Sequence, residues 1–244
     1  RRSDSENWEP FGTYEIDRRS GVRRSGAVPL AVDPQLNAAY VLEKVDGRDA
    51  LFRVSLEGCM RREPILAHPQ VDIDGLIRIG RSRRVVGATF TTERRHAVYF
   101  GAELNRLVGQ LHRSLPGLPQ VGVVDASEDE SKMLILAGGD TDPGRYFLFD
   151  RATRQLNELM LVRPELEGVP LATVRPVNYR AADGTMIPGY LTLPPGSSGR
   201  GLPAIVMPHG GPSARDEWQF DWWAQYFANR GFAVLQPNFR GSAG

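Results

Sequence analysis

Residues 203–244 read PAIVMPHGGPSARDEWQFDWWAQYFANRGFAVLQPNFRGSAG, and this stretch decides the fold of the C-terminal part of the chain. Its first apolar run, 204–207, does not alternate with polar residues, which predicts a strand buried on both faces of a parallel sheet. Pro208 ends the pairing, because proline has no N–H to give a neighbouring strand. Gly210 and Gly211 lack a Cβ atom, so the backbone there can adopt unusual dihedral angles and approach a ligand closely.

A helix and a second strand follow the glycine pair. Aromatic residues recur at helical spacing from about residue 216 to residue 230, and Gly231 stands where a helix often ends. The spacing predicts that three aromatic side chains pack in the core: Trp222, Trp223 and Tyr226. Residues 232–235 predict a second buried strand. The glycine loop therefore lies at the carboxyl end of the first strand of a β-α-β unit, where open α/β sheets place their active sites.

A hairpin precedes this unit. Residues 174–180 and 186–193 are strand-like and are joined across Asp183-Gly184, a dipeptide typical of tight hairpins. If these are the first two strands of a sheet, residues 204–207 form the third. In α/β-hydrolases the loop after the third strand supplies one backbone N–H of the oxyanion hole, often from an HGG-type sequence. His209-Gly210-Gly211 agrees with that arrangement in both position and composition.

The C-terminal segments resemble the prolyl oligopeptidase family of serine peptidases, and within it the branch of acylaminoacyl peptidases and dipeptidyl aminopeptidases. The matching segments are Asp183-Gly184, Ile187-Pro188-Gly189-Tyr190-Leu191, Pro203-Ala204-Ile205-Val206, His209-Gly210-Gly211-Pro212 and Pro237-Asn238-Phe239-Arg240-Gly241-Ser242. HGGP alone is weak evidence, but PNFRGS about 25 residues later makes the match much more specific. The resemblance implies an enzyme that hydrolyses short peptide substrates through an acyl-enzyme, with a β-propeller gating access.

The first 165 residues carry weak repeats that agree with such a propeller. Each repeat has two strand-like segments around a turn: 39–42 with 51–54, 84–90 with 96–100, and 133–136 with 146–150. Their starts, near residues 40, 85 and 133, are 45 to 48 residues apart. We therefore expect a mixed fold, with about three C-terminal blades of a partial β-propeller over residues 1–165 and the N-terminal part of an α/β-hydrolase domain over residues 166–244.

Three blades cannot close a propeller, and no G-x-S-x-G nucleophile motif occurs before Gly244. We therefore expect the chain to be an internal fragment of a larger enzyme. In this family the order is serine, aspartate, histidine, and all three follow the segment that ends here. The fragment by itself is predicted to be inactive.

The resemblance implies that the oxyanion N–H comes from Gly211, with Gly210 as the second choice. One such donor typically contributes about 2.7 to 4 kcal/mol to transition-state stabilisation. His209 is discounted as the catalytic base because of the family's residue order, and a hydrogen bond that fixes the loop is expected instead. Arg240 is a candidate for substrate contact, although an arginine after a buried strand more often anchors a loop through an ion pair.

Composition argues against other function classes. With 30 basic and 29 acidic residues the net charge is +1, which gives no electrostatic reason to expect nucleic acid. Four arginine pairs are expected to be solvated at blade edges: Arg23-Arg24, Arg61-Arg62, Arg83-Arg84 and Arg94-Arg95. The four histidines have no metal-ligand spacing and no nucleotide-binding loop is present, so no cofactor is expected.

No apolar run approaches the length needed to span a bilayer, so no membrane partner is expected. The single cysteine, Cys59, gives no support for an oxidising compartment. We expect a cytoplasmic location, with the periplasm and secretion left open because a fragment would lack its true N-terminus; homo-oligomerisation is also left open. Two alternative functions remain: an esterase of the α/β-hydrolase class, and a non-catalytic propeller module that binds peptide or protein.

Overall fold

The computed structural model describes residues 10–18, 23–211 and 213–244. Pro212, the last residue of the HGGP segment, and the side chains of Arg23 and Arg24 lie outside the described part, and so do the predictions made for them. The described residues form mainly antiparallel sheets, because β-branched and aromatic residues alternate with polar ones along most segments.

Three antiparallel sheets and one short pair of strands account for the first two thirds of the chain. The pair is β1 (Tyr14–Ile16) and β2 (Arg23–Gly26). The first four-stranded sheet contains β3 (Val28–Asp33), β4 (Ala38–Val45), β5 (Arg48–Ser55) and β6 (Arg62–Leu66). The three-stranded sheet contains β7 (Ile73–Ile79), β8 (Arg84–Thr91) and β9 (Arg95–Tyr99), followed by helix α1 (Ala102–Ser114). The second four-stranded sheet contains β10 (Gln120–Ala126), β11 (Lys132–Gly138), β12 (Arg145–Asp150) and β13 (Gln155–Leu161).

Each of the three larger sheets is a meander, in which strands that follow one another in sequence also pair. The three strand pairs predicted from the repeats are confirmed as β4–β5, β8–β9 and β11–β12. Alternation sets their faces: in β11, Met133, Ile135 and Ala137 are buried, whereas Leu134 and Leu136 are only partly buried. Within the described residues these sheets do not close a ring.

Hydrophobic cores join successive sheets. One core packs Ile79 from β7 and Val108 from α1 against Met133 and Ile135 from β11. A second packs the first four-stranded sheet against the three-stranded sheet and includes the fully buried Leu51 of β5. Truncating a buried side chain of this size typically costs about 2 to 5 kcal/mol, so these contacts set the spacing of the sheets.

The last part of the chain forms a mixed sheet. Its strands are β14 (Val174–Arg180), β15 (Met186–Thr192), β16 (Ala204–Val206) and β17 (Ala233–Pro237), in the order β14-β15-β17-β16, with helix α2 (Trp222–Asn229) between the last two in sequence. A 3₁₀ turn, Pro164–Leu166, lies in the segment that joins β13 to β14. The predicted hairpin across Asp183-Gly184 is confirmed by the antiparallel pairing of β14 with β15, and Gly184 has a φ of +87°. The parallel pairing of β16 with β17 confirms the β-α-β unit.

The prediction that residues 204–207 form a strand buried on both faces is wrong. The strand β16 ends at Val206, whose side chain is 64% exposed. It has β17 on one side and no strand on the other among the residues that the structure describes. An apolar run indicates that a strand tolerates burial, but only the neighbouring elements determine whether it is covered.

The start of the second helix is also predicted wrongly. Helix α2 begins at Trp222 rather than near residue 216, because the Asp221 carboxylate caps it by accepting a 2.8 Å hydrogen bond from the Ala224 N–H. Residues 215–218 form an irregular segment that contacts the turn between β8 and β9. Neither α1 nor α2 combines the length and the apolar character that a membrane-spanning helix needs.

The aromatic face of α2 points away from the sheet. Trp222, Trp223 and Tyr226 are 52%, 47% and 49% exposed, so the prediction that they pack in the core is wrong. The helix instead buries three smaller or polar side chains: Ala224, Gln225 and Ala228. Helical spacing defines a face, but small alanine side chains permit the closest approach of helix to sheet, and that approach decides which face is buried.

Candidate active site

The glycine loop begins just after β16. Gly211 has a φ of +147°, a backbone conformation that residues with a side chain rarely adopt. A Cβ atom at this position would lie 2.9 Å from the Ser213 nitrogen and 3.0 Å from the Ala214 nitrogen, closer than real contacts allow. At Gly210 an added Cβ atom would meet nothing within 4 Å. The loop conformation therefore requires glycine at position 211 and not at position 210.

The loop presents backbone donors to solvent. Among the described residues, the N–H groups of Gly210 and Gly211 donate no hydrogen bond to another protein group, and both glycines are exposed. Gly211 also lines a cavity of about 960 Å³, whereas Gly210 lies outside its lining. An N–H group that faces a cavity without a protein acceptor can bind an anionic oxygen of a ligand.

The cavity lies between the glycine loop and the first two larger sheets. Its volume falls in the range of small-molecule and peptide sites, about 300–1,000 Å³. The wall formed by the sheets carries the carboxylates of Asp49, Asp72 and Asp74. Asp74 accepts hydrogen bonds from Arg95 at 2.9 Å and Thr91 at 3.0 Å, so its position is fixed.

His209 ties the glycine loop to the segment after β17. Its Nε2 lies 2.7 Å from the Ser242 hydroxyl, and its ring stacks on Phe239 with 4.4 Å between ring centroids. Its Nδ1 lies 2.7 Å from the Gly210 carbonyl oxygen. These contacts are of the loop-fixing kind predicted for His209.

Ser242 also lines the cavity, and its contact with His209 has the spacing of a nucleophile and its base. No motif in the sequence marks this serine as a nucleophile. Its hydroxyl, however, also lies 2.7 Å from the Phe239 carbonyl oxygen, so a backbone acceptor competes with the imidazole for its proton. The other imidazole nitrogen faces a backbone carbonyl, whereas a catalytic histidine is normally oriented by a carboxylate. The pair is therefore built to hold the loop.

Asp216 lies beside this pair. Burial raises the pKa of its carboxyl group above the ordinary value of 3.8, while the nearby His209 opposes the shift. One carboxyl oxygen accepts a 3.3 Å hydrogen bond from Gln236, and the other is buried without a partner among the described residues. The backbone of Asp216 is held by the Asn238 side chain, which accepts from its N–H at 2.8 Å and donates to its carbonyl at 3.1 Å.

Arg240, the candidate for substrate contact, lies outside the lining of the cavity. Its guanidinium pairs with the Asp183 carboxylate and lies 3.4 Å from the Thr185 hydroxyl, at the tip of the β14–β15 hairpin. The Thr185 backbone N–H, the Thr185 side chain and Arg240 together lower the pKa of Asp183. The structure thus gives Arg240 the anchoring ion pair considered for it and does not bring it together with Gly211.

The turn between β8 and β9 reaches the segment that follows the glycine loop. The Arg94 guanidinium lies 3.8 Å from the centre of the Trp218 ring, and Arg95 pairs with Glu217 at 2.5 Å. The prediction of solvated side chains is therefore wrong for Arg94, which is partly buried, whereas Arg95 is exposed although it is ion-paired. The contact joins residues more than 120 positions apart, so no local pattern announces it.

Sequence comparison finds relatives among peptidases. Dipeptidyl aminopeptidase BIII of Pseudoxanthomonas mexicana is 36% identical over 135 residues, which cover 52% of this chain and 20% of that protein. Dipeptidyl peptidase family member 6 of Caenorhabditis elegans is 33% identical over 145 residues, which cover 51% of this chain and 20% of that protein. The chain thus spans about a fifth of the length of these curated relatives. No family model matches it.

Structural comparison points the same way. A solved puromycin-hydrolyzing peptidase of Mycobacterium tuberculosis superposes with a TM-score of 0.58 at 20% identity, covering 88% of this chain and 34% of that chain. At this identity the superposition shows a likeness of fold alone. Together with the sequence relatives it confirms the predicted resemblance to the peptidases of the prolyl oligopeptidase family.

Proposed function

We propose that this chain, whose relatives are peptidases of the prolyl oligopeptidase family, supplies the oxyanion side of a serine peptidase active site. One observation carries the proposal. The N–H of Gly211 has no protein acceptor among the described residues, and it belongs to a glycine that lines a cavity of about 960 Å³ and that no other residue type can replace without strain. Those are the properties of a preorganised donor for a developing negative charge.

The chemistry follows from that donor. A serine alkoxide that attacks a peptide carbonyl converts its oxygen to an oxyanion, and an N–H held in place beforehand stabilises this charge without reorganisation. In the natural protein the nucleophilic serine, the aspartate and the histidine that acts as base would come from residues outside this chain. Within the chain, His209 and Ser242 hold the loop that carries the donor.

The substrate proposed is a short peptide with a free N-terminus. The opposite wall of the cavity carries the carboxylates of Asp49, Asp72 and Asp74, which suit the positive charge of a terminal ammonium group. The relatives carry the names dipeptidyl aminopeptidase and dipeptidyl peptidase, which supports this choice. Lys44 and Arg95 line the same wall and pair with Asp49 at 3.6 Å and with Asp74 at 2.9 Å, so the wall is not uniformly negative and the positions at which an ammonium group fits are limited.

The finer architecture belongs to the same proposal. The three meander sheets are proposed to be blades of a propeller that screens substrates by size, and the mixed sheet to be the start of an α/β-hydrolase domain. The parallel β16–β17 pair with the glycine loop at the end of β16 supports the second assignment. A cytoplasmic location, the absence of nucleic-acid and membrane partners and the inactivity of this chain alone remain predictions.

The test uses the natural protein that carries this sequence. Chromogenic dipeptidyl anilides with a free N-terminus are compared with the same dipeptides acetylated at the N-terminus and with p-nitrophenyl esters. Hydrolysis of the free anilides, together with covalent labelling by a fluorophosphonate, is the expected result. Hydrolysis of esters alone would favour the esterase alternative. Tight peptide binding with neither turnover nor labelling would favour the non-catalytic binding module.

A further inference from the structure

Consecutive backbone carbonyls of the β8–β9 turn are bound by the part of the chain that carries the glycine loop. Arg215 donates from Nη1 to the Thr91 carbonyl at 2.9 Å and from Nη2 to the Thr92 carbonyl. The next carbonyl, of Glu93, accepts from the Trp218 N–H and from the Tyr190 hydroxyl, both at 2.8 Å. The turn is therefore held by groups from two separate segments.

Side chains of the turn strengthen this contact. Arg94 lies over the Trp218 ring, and Arg95 bridges Asp74 of β7 to Glu217. The Glu217 side chain is only 9% exposed, whereas the Arg95 side chain is 46% exposed, so the pair is buried at its carboxylate end and open to water at its guanidinium end. Removing one partner of such a pair leaves an uncompensated buried charge, which makes the contact resistant to opening.

The contact lies close in sequence to the oxyanion donor. Arg215 follows Ala214, whose carbonyl accepts from the Ala243 N–H at 2.8 Å and whose nitrogen borders Gly211. The chain around Gly211 is thus anchored by His209 on its N-terminal side and by Arg215 on its C-terminal side. A donor N–H is effective only if its direction is fixed before the charge develops.

We propose that Arg215 is a positioning residue for the oxyanion donor: by binding the Thr91 and Thr92 carbonyls it fixes the direction of the Gly211 N–H. This inference rests on the proposed function. It makes the β8–β9 turn part of the active site through its backbone carbonyls. The geometry of the donor then depends on the docking of the three-stranded sheet against the glycine loop.

The chemistry of arginine explains why this residue type is used. Its planar guanidinium presents several N–H groups at fixed angles and can bind two carbonyl oxygens at once. Lysine offers a compact ammonium on a flexible stem and holds two acceptors less rigidly, and methionine offers no donor. Arg215→Lys should therefore weaken the restraint on the loop, and Arg215→Met should remove it, while both substitutions largely preserve the length of the side chain.

The experiment measures steady-state hydrolysis of a dipeptidyl anilide by the natural protein and its variants, with rates expressed per fluorophosphonate-labelled site. We expect Arg215→Met to lower kcat about 10- to 100-fold, because misplacement of an active-site group by about 1 Å can cost about 100-fold. KM is expected to stay within about threefold of the native value. The kcat of Arg215→Lys is expected to lie between that of Arg215→Met and that of the native protein. Arg175→Met, at an exposed position of β14, is the control and should leave both constants unchanged.

Tyr190→Phe serves as a second variant that leaves Arg215 intact. It removes one donor to the Glu93 carbonyl of the same turn and should lower kcat in the same direction by a smaller factor. Native kcat in Arg215→Met, or a rise in KM that accounts for the whole loss of kcat/KM, would overturn the positioning role.

Amide hydrogen exchange separates this inference from the proposed function. The Trp218 N–H donates across the contact to Glu93, and the Ala243 N–H donates to Ala214, next to Arg215; both should exchange faster in Arg215→Met. If the native protein neither turns over peptides nor is labelled, the proposed function fails. Hydrogen exchange then still tests whether Arg215 restrains the glycine loop. Faster exchange at these two amides in Arg215→Met supports the restraint, and unchanged exchange overturns it.

Discussion

Replacing Gly211 by alanine tests the oxyanion assignment most directly. The new Cβ atom would lie 2.9 Å and 3.0 Å from two backbone nitrogens, and no flexible side chain can move aside to relieve these contacts. A residue with a side chain at such a φ costs about 1 to 3 kcal/mol. The loop is expected to relieve this strain by rotating the peptide unit, which turns the N–H away from the cavity.

The expected loss of activity exceeds the loss of stability. Removal of one oxyanion donor lowers kcat by about 100- to 1,000-fold, equivalent to about 2.7 to 4 kcal/mol of transition-state stabilisation. Gly210→Ala is the matched control, because its Cβ atom meets nothing within 4 Å and its backbone N–H is retained. It should keep kcat within about threefold of the native value.

The assay is steady-state hydrolysis of a dipeptidyl anilide by the natural protein, with active sites counted by fluorophosphonate. The midpoint of thermal unfolding, measured in parallel, should fall far less than the loss of kcat implies, because the strain in the loop costs only about 1 to 3 kcal/mol. A Gly211→Ala protein with native kcat, or a Gly210→Ala protein that loses more activity than Gly211→Ala, would refute the assignment of the donor.

Three further predictions concern stability, pH dependence and reactivity. Gln225→Leu should lower the free energy of unfolding, measured by chemical denaturation, by about 2 to 4 kcal/mol. The buried Gln225 amide forms hydrogen bonds with both backbone groups of Ala172 and with the Asp140 carbonyl, and leucine would form none of them. The exposed control Gln155→Leu should change the free energy of unfolding by less than about 0.5 kcal/mol. Asp216→Asn should raise the midpoint of chemical denaturation at neutral pH. A carboxyl group whose folded-state pKa is raised stabilises the protein at low pH, and this contribution is lost as the pH rises through that pKa. The gain in midpoint should vanish below the ordinary pKa of 3.8, and a gain that persists there would contradict the burial argument. A fluorophosphonate should leave Ser242 of the 244-residue chain unlabelled, because the Phe239 carbonyl competes for its proton and the other nitrogen of His209 faces a backbone carbonyl instead of an orienting carboxylate. Mass-spectrometric detection of an adduct on Ser242 would show that the pair with His209 is reactive.

Local sequence signals predict the secondary structure correctly where the chemistry of one or two residues decides it. Asp183-Gly184 forms the hairpin turn, and Gly231, with a φ of +93°, ends the second helix. The same holds for the three repeated strand pairs, because alternation and turn residues lie within a few positions of each other. The start of α2 was missed although Asp221, a good N-cap residue, stands directly before it.

The burial of side chains is not predicted correctly from such local patterns. The apolar run of β16 and the aromatic spacing of α2 both predicted core positions, yet Val206, Trp222 and Trp223 are exposed. The pattern of a segment reports which faces could be buried. The neighbours that would cover those faces lie elsewhere in the chain, so the pattern alone does not determine their burial.

From the amino-acid sequence alone follow the strand repeats, the hairpin, the β-α-β unit and the glycine loop with its family resemblance, because each depends on residues that are neighbours along the chain. The tertiary structure alone places Gly211 on a cavity opposite Asp74 and sets Arg215 against the carbonyls of Thr91 and Thr92. Backbone carbonyls occur at every position, so a site that binds them leaves no trace in the sequence of the turn. Which carbonyls Arg215 meets is decided by the docking of one sheet against another.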